Sequence, residues 1–455
     1  MGFGGCLGLG SEDFGTISSD SIYAVKSEYV DDVRKTRFKT KPGRTLSERR
    51  WKSAFSEDGH LDIEVVLRRV QRGGIHPSIR GVVWEFLLGC YDPDSTYGDR
   101  DELKQRRREQ YGMWKNECQK MEPTIGSGRY LTRPIITDDG QPIQKPISQV
   151  DDEHDPEEKT ISSSDDSSML EEPVEGTSPV DMIEVKWKRT LHQIGLDVVR
   201  TDRALVFYES EANLAKLWDV LAVYAWIDKE IGYCQGMSDL CSPLIILLEN
   251  EADAFWCFEH IMRRLRGNFK STAQSLGVRS QLSILAKVIK AVDPRLHHHL
   301  EDLDGGEYLF AVRMLMALFR REFSLLDAMY LWEMMWAMEY NPNLFTLYEK
   351  SSTDIKKDTL LTGNDKMYGK FERTNLKTRY REEECSLAVF LVASVLEIKN
   401  KRFIRDAKGL DDVVKIVNDV IGTVDIKKAC NEALKVQKKY LSKKLSSLDY
   451  KEETI

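Results

Sequence analysis

Apolar residues recur at helical spacing along most of this 455-residue chain, and strand-like alternation is nearly absent. Within 214–225, Leu214, Leu217, Trp218, Leu221, Ala222 and Ala225 fall at i, i+3, i+4, i+7, i+8 and i+11, the stripe of an amphipathic helix. Phe255, Phe258, Ile261, Met262 and Leu265 repeat it over 254–265, and Leu282, Leu285, Val288 and Ile289 over 282–289. Nearer the start, Leu61, Val65, Val66 and Leu67 predict a helix over 61–71. Gly73, Gly74 and Pro77 then make a turn, and Pro77 opens a second helix at its first position. Ile79, Val82, Val83, Phe86 and Leu87 are expected to line one face of it. The strings FAVRMLMALFRREF (310–323) and LLDAMYLWEMMWAM (325–338) predict two helices separated by a turn near Ser324. A buried helix is expected over 386–398, and one or two amphipathic helices over 410–445. The fold class that follows is all-α, built from many packed helices, and no repeat at a solenoid period is visible.

Polar segments interrupt this pattern. Residues 1–45 are rich in Gly, Ser and charge and are expected to form a flexible N-terminal tail. A folded body is expected over 46–440, with a polar tail at 441–455. Two insertions interrupt the body: an acidic Ser/Pro-rich one over about 121–180 and a polar one over about 340–384. The first carries SSSDDSS at 162–168, which suits an acid-directed kinase as well as a plain solvating loop.

Charge follows the same division. The net charge of −8 is unevenly spread: Asp138 to Asp181 holds 14 acidic residues and two lysines, so that segment carries −12 and the remainder +4. There is no dense basic stripe of the kind that binds nucleic acid, and no nucleic-acid partner is expected. No apolar run reaches the length of about 20 residues that spans a bilayer. The opening MGFGGCLGLG lacks the basic start of a secretory signal. The eight cysteines are scattered without zinc-like spacing, which fits reduced thiols in the cytosol. Gly2 with Cys6 raises a myristoyl-plus-palmitoyl anchor, but Cys6 stands where the myristoylation pattern wants Ser or Thr; a glycine-rich tail is the alternative. The run His297–His299 reads as a polar helix end rather than a metal site.

Three short strings carry candidate chemistry: RGGIHPSIRGVVWEFLLG (72–89), IGLDVVRTDR (194–203) and YCQGMSDL (233–240). Taken alone, Asp197 and Arg200 fit an ordinary i,i+3 ion pair on a helix surface. A glycine after Gln235 marks a helix boundary or a close backbone contact, and Gly236 is expected to permit such an approach. No G-x-x-x-x-G-K-[ST] sequence is present, so the chain is not expected to bind GTP itself.

Together and in this order, the strings resemble the TBC domain of Rab GTPase-activating proteins. Arg72, Gly74, Ile75, Pro77, Arg80 and Trp84 match the family's first motif, R-x-G-I-x-P-x-x-R-x-x-x-W. Ile194, Asp197, Arg200 and Thr201 match I-x-x-D-x-x-R-T, and Tyr233, Gln235, Gly236 and Met237 match Y-x-Q-G-M. FRREF (319–323) followed by LWEMMWA (331–337) is similar to a later helix pair of the family. The resemblance covers about 45–440. It implies two packed helical lobes and a GTPase activator with no autonomous reaction and no cofactor of its own; GTP and Mg belong to the partner.

The implied partner is a Rab-family small GTPase in its GTP form, in vesicle trafficking and intracellular protein transport. The implied place is the cytoplasm, with peripheral contact on endomembranes. The implied catalytic residues are Arg200 as arginine finger and Gln235 as glutamine finger. Asp197, Thr201, Tyr233, Gly236 and Met237 are the expected supporting or partner-binding residues, and Arg80 and Trp84 are expected to be structural. The chemistry is coherent. Guanidinium is permanently charged and forks onto phosphate oxygens, while a side-chain amide both donates to and accepts from a water. The alternative is a non-catalytic scaffold of the same fold that binds Rab or membrane-traffic proteins; intact Arg200 and Gln235 favour catalysis.

Overall fold

In the computed structural model, the structure describes residues 21–137, 141, 179–270, 277–349, 365–378, 386–421 and 423–452. Gly2, Cys6, the serines at 162–168 and nearly all of the acidic stretch lie outside them. Among the described residues the chain is all-α; the only β-type contacts are isolated bridges.

The first lobe holds α1 (Glu48–Lys52), α2 (Ile63–Gly73), α3 (Arg80–Leu87), α4 (Tyr97–Met121), α5 (Pro179–Arg200), α6 (Glu211–Ile227), α7 (Met237–Leu247) and α8 (Glu251–Phe269). The second holds α9 (Val278–Val292), α10 (Pro294–Asp302), α11 (Val312–Met316), α12 (Leu325–Glu339), α13 (Leu344–Glu349), α14 (Lys370–Lys377), α15 (Leu387–Ile398), α16 (Asn400–Asp406), α17 (Leu410–Ile421) and α18 (Ile426–Glu452). Helices α6, α12 and α15 are apolar on almost every side and form the centres of packing. Around α6 lie α4, α5, α7 and α8, while α15 packs on α9 and α18. The lobes meet where α2 and α3 pack on α12 and where α8 packs on α9 and α11.

Local signals place the boundaries. Asp62 caps α2 by accepting from the Val65 amide at 3.0 Å. Thr96 and Asp99 form a reciprocal capping box that starts the 25-residue, highly charged α4. Pro77 sits at the start of a 3-10 turn over Pro77–Ile79 that leads into α3.

Three expectations meet a different outcome. Val82, assigned to the buried face of α3, is 45% exposed, because α3 buries its Val83, Trp84 and Phe86–Leu87 side instead. The helix expected over 310–323 stops at Met316: Leu318 and Phe319 take left-handed φ of 44° and 61°. Each left-handed residue bearing a Cβ costs roughly 1–2 kcal/mol; here the bend is held by the Trp332 indole, which donates to the Leu318 carbonyl at 2.7 Å. Third, residues 36–38, which composition places in the tail, are fixed to the body. The Arg37 and Phe38 amides donate to the buried Asp327 carboxylate at 3.0 and 2.6 Å. Lys26 and Val206 likewise exchange backbone bonds with Ala204 and Ala24, at 2.9 Å each. Polarity hid these contacts because they are made by backbone amides.

A buried ion pair fastens α3 to α12 at the seam between the lobes. Arg80 and Glu333, both fully buried, meet at 2.5 Å. Glu333 also accepts from the Trp84 indole at 3.3 Å and the Ile75 amide at 3.2 Å. Trp84 packs edge-on to Trp336 with ring centroids 4.8 Å apart. A buried pair of this kind adds little net stability, but breaking one side strands a charge at a cost of about 3–5 kcal/mol. Arg80→Ala should therefore lower unfolding free energy by about 3–5 kcal/mol in urea titration. The double variant Arg80→Met, Glu333→Leu should recover most of the loss, and equal loss in both would refute this account.

Candidate functional site

Helix α5 carries Leu191, Ile194 and Val198 on its buried side. The opposite side, near its end, presents Leu196, Val199 and Arg200 to solvent. The helix passes under residues 131–132 at very close range: a Cβ on Gly195 would lie 1.5 Å from the Leu131 carbonyl oxygen. Gly195 is thus the residue that lets α5 seat against this crossing segment. The helix ends just after Arg200, where the Thr201 amide bonds back to the Asp197 and Val198 carbonyls and Asp202 turns left-handed with φ 50°.

The second and third motifs meet at Asp197. Its Oδ1 accepts from Arg200 Nη2 at 2.5 Å and its Oδ2 from the Tyr233 hydroxyl at 2.5 Å. Asp197 is buried while the Arg200 side chain is 54% exposed, so the guanidinium leans outward from a buried anchor. Burial, then the neighbouring Asp197 carboxylate, pushes the Tyr233 phenol well above its usual range, so it remains a protonated donor. The i,i+3 pair predicted as the plain reading of this string is present. Arg200 is the solvent-exposed end of this pair, and when it leaves, the buried Asp197 still accepts from Tyr233.

Gln235 is exposed at the corner of a four-residue turn closed by the Met237 amide on the Cys234 carbonyl at 3.1 Å. Gly236 follows with φ 102° and ψ −15°. A Cβ there would meet nothing within 4 Å in this chain. Gly236 is therefore required by its left-handed backbone, and the expected close backbone approach is not found within the chain. Met237 is fully buried and its Sδ faces the Cys234 amide at 3.4 Å.

Serines one turn apart on α7 hold the loop after Arg200. The Thr201 hydroxyl donates to the Asp197 carbonyl at 2.7 Å and accepts from Ser238 Oγ at 2.8 Å. Tyr208 donates to Ser242 Oγ at 2.8 Å, and Ser242 donates to Asp202 Oδ2 at 2.6 Å. From the second lobe, Arg320 bonds Asp202 Oδ1 and Arg321 bonds Asp239 Oδ2 at 2.8 Å. The left-handed Leu318 and Phe319 lie immediately before these two arginines in the chain. Arg200 and Gln235, 35 residues apart in sequence, are thus set in one frame by α7.

The first motif is elsewhere. Ile75, Arg80 and Trp84 are buried at the α12 seam, Gly74 takes φ 71° against Phe38 and Tyr330, Pro77 starts the 3-10 turn, and Arg72 is exposed. Leu196 and Val199, 50% and 45% exposed beside Arg200, were missed by sequence reasoning; their signal is that they fall out of phase with the buried stripe. Asp202, Ser238, Ser242 and Arg320 were also missed, because buried polar partners leave no periodic trace. No group of His, Cys, Asp or Glu among the described residues could hold a metal ion, and no described helix is long and apolar enough to cross a membrane.

Residues 165–349 match the Rab-GTPase-TBC domain family. The chain is 29% identical over 369 residues to Rab GTPase-activating protein 22 of Arabidopsis thaliana, covering 64% of this chain and 66% of that protein. It is 28% identical over 322 residues to TBC1 domain family member 17 of Homo sapiens, covering 70% of this chain and 41% of that one. The chain thus spans two thirds or less of the length of these relatives. Its fold is similar to the crystal structure of the Ypt/Rab-GAP domain of Gyp1p, with TM-score 0.52 and 17% identity over 86% of this chain and 98% of that one.

Asp202 is the acceptor shared by Ser242 and by Arg320, whose side chain is only 9% exposed. Asp202→Ala should therefore cost about 3 kcal/mol in denaturant unfolding, while Asp202→Asn, which keeps an acceptor and tolerates left-handed φ, should cost less. Equal losses would show that charge alone matters there.

Proposed function

We propose that this chain, whose residues 165–349 match the Rab-GTPase-TBC domain family, accelerates GTP hydrolysis by a Rab-type small GTPase, with Arg200 and Gln235 supplied in trans. The observation that carries the reading is the common anchoring of the two side chains. Both are exposed, and both rise from a buried network that joins Asp197, Tyr233 and the start of α7.

Hydrolysis by a small GTPase is slow because charge building on the phosphoryl oxygens is not neutralised and the attacking water is loosely held. Arg200 answers the first need. On docking it exchanges Asp197 for phosphate oxygens, and Asp197 keeps its bond from Tyr233 and so does not lose every partner. Gln235 answers the second, its amide accepting from the water and donating toward the phosphate. Rigid placement of Gln235 at the turn corner matters because misplacement by about 1 Å can cost roughly a hundredfold. The GTP, its Mg ion and the GTP-bound state of the partner belong to the GTPase. Leu196 and Val199 supply the apolar contact that seats it beside Arg200. The site of action on this reading is the cytoplasmic face of endomembranes, where Rab-type partners direct vesicle traffic.

Single-turnover GTP hydrolysis by a panel of purified Rab proteins should be accelerated for one or a few members. Arg200→Lys keeps the charge but loses the fork, and should lose about 10³-fold or more, equivalent to about 4 kcal/mol in the barrier. Gln235→Ala should lose roughly a hundredfold. Binding to Rab proteins without acceleration of any of them would identify a scaffold and overturn this reading.

A further inference from the structure

Away from the Arg200 group, two adjoining clefts open beside the α2–α12 seam, and both are lined by cations. The first, about 280 Å³, is walled by Arg37, Lys39, Lys41 and Arg44 on one side and by the start of α18 on the other, with Arg72 and Lys427 between. The second, about 510 Å³, shares Arg72 and Lys427 and adds Arg68, Lys366, Lys370 and Arg373. Neither cleft shares a residue with the Asp197–Arg200–Tyr233–Gln235 group.

The carboxylates at these walls are already engaged. Asp327 accepts from the Arg37 and Phe38 amides, Asp425 accepts from the Lys428 amide at 2.8 Å, and Glu64 pairs with Arg68 at 3.3 Å. No carboxylate among the described residues forms an ion pair with Arg37, Arg44, Arg72, Lys370 or Arg373. Lys427 records the resulting field. Its ammonium donates to the Arg72 carbonyl at 2.7 Å, and burial, then Arg44, Lys41, Lys370 and Arg72, hold it below the usual lysine range. The N-terminus of the 27-residue α18 also ends at this wall, adding backbone N–H groups and a positive helix end.

Like charges gathered in a concave site repel one another unless an anion is taken up. At about 280 and 510 Å³, the adjoining clefts together have the size of a small-ligand site. Arginine forks and lysine points of charge at several angles suit a ligand bearing more than one phosphate. We propose that this pair of clefts binds a multiply phosphorylated small anion of the inositol phosphate type, either free or as the headgroup of a membrane lipid. Occupancy relieves the repulsion around Lys427 and stabilises the fold, since the anion binds the native state alone. The site is separate from the proposed GTPase-docking face, so it holds or fails independently of the hydrolysis reading.

The test uses the full chain and two probes: soluble inositol trisphosphate by calorimetry, and sedimentation with phosphatidylcholine vesicles with or without a few per cent phosphatidylinositol bisphosphate. The variant is Arg44→Gln with Lys370→Gln, one exposed residue from each cleft. The wild type should bind, binding should weaken as salt is raised, and the double variant should bind about tenfold or more weakly. Binding of the soluble probe alone assigns a free polyphosphate. Vesicle binding that depends on the phosphoinositide, is competed by the soluble probe and is lost in the variant assigns a lipid headgroup. Absence of binding to both probes, or equal binding by wild type and variant, overturns the proposal. Should the double variant fail to fold, the two single substitutions carry the same comparison.

Discussion

A carboxylate cannot leave water alone, and this fold is organised around the few that do. Taking an ion out of water costs several kcal/mol unless its oxygens find donors. Glu333 answers with Arg80, Trp84 and the Ile75 amide, and in doing so fastens α3 to α12. Asp327 answers with the Arg37 and Phe38 amides and fastens the N-terminal segment to α12. Asp219 takes Lys115 at 2.9 Å and the Gly126 amide at 3.0 Å, joining the end of α4 to α6. Each of these three buried carboxylates stands at a junction between segments distant in sequence. That is where apolar packing alone, being non-directional, leaves register undetermined.

The candidate site uses the same device twice, and divides the labour. Asp202 is held from α7 and from the second lobe, so it fixes the loop. Asp197 is held by Tyr233 from below and holds Arg200 at the surface. The first network is rigid because both ends are enclosed. The second has one exposed end, which leaves the guanidinium able to exchange partners. Placing a side chain that must move on an anchor that must not is what a group supplied to another protein's reaction requires.

The strained backbone at Leu318 and Phe319 belongs in this picture. A continuous helix through 323 would carry Arg320 and Arg321 along the α11 axis. The left-handed break instead directs them to Asp202 and Asp239. The local cost is repaid by two ion pairs and the Trp332 bond to the Leu318 carbonyl. The second lobe thereby braces the loop that follows the proposed finger.

The sequence by itself determined the helical class, the positions of most long helices and the two strings, 194–203 and 233–240, that the candidate site brings together. Periodic apolar residues report on one buried face, and that signal needs no knowledge of what covers it. Asp197, Arg200, Tyr233 and Gln235 were singled out only because their strings, ordinary in isolation, together resemble a family's motifs, and Arg80 and Trp84 through the first motif of that resemblance. Tertiary structure alone decided the rest. It decided that Arg200 and Tyr233 share one carboxylate, that Ser238, Ser242 and Arg320 secure the loop, and that Gly195 must be bare to pass Leu131. It also decided that the helix before Arg320 breaks and that residues 36–38 belong to the body. These features depend on which donor meets which acceptor across tens to hundreds of residues. A linear pattern carries no record of such pairings, because a serine or a backbone amide looks the same whether it is solvated or holds a buried charge.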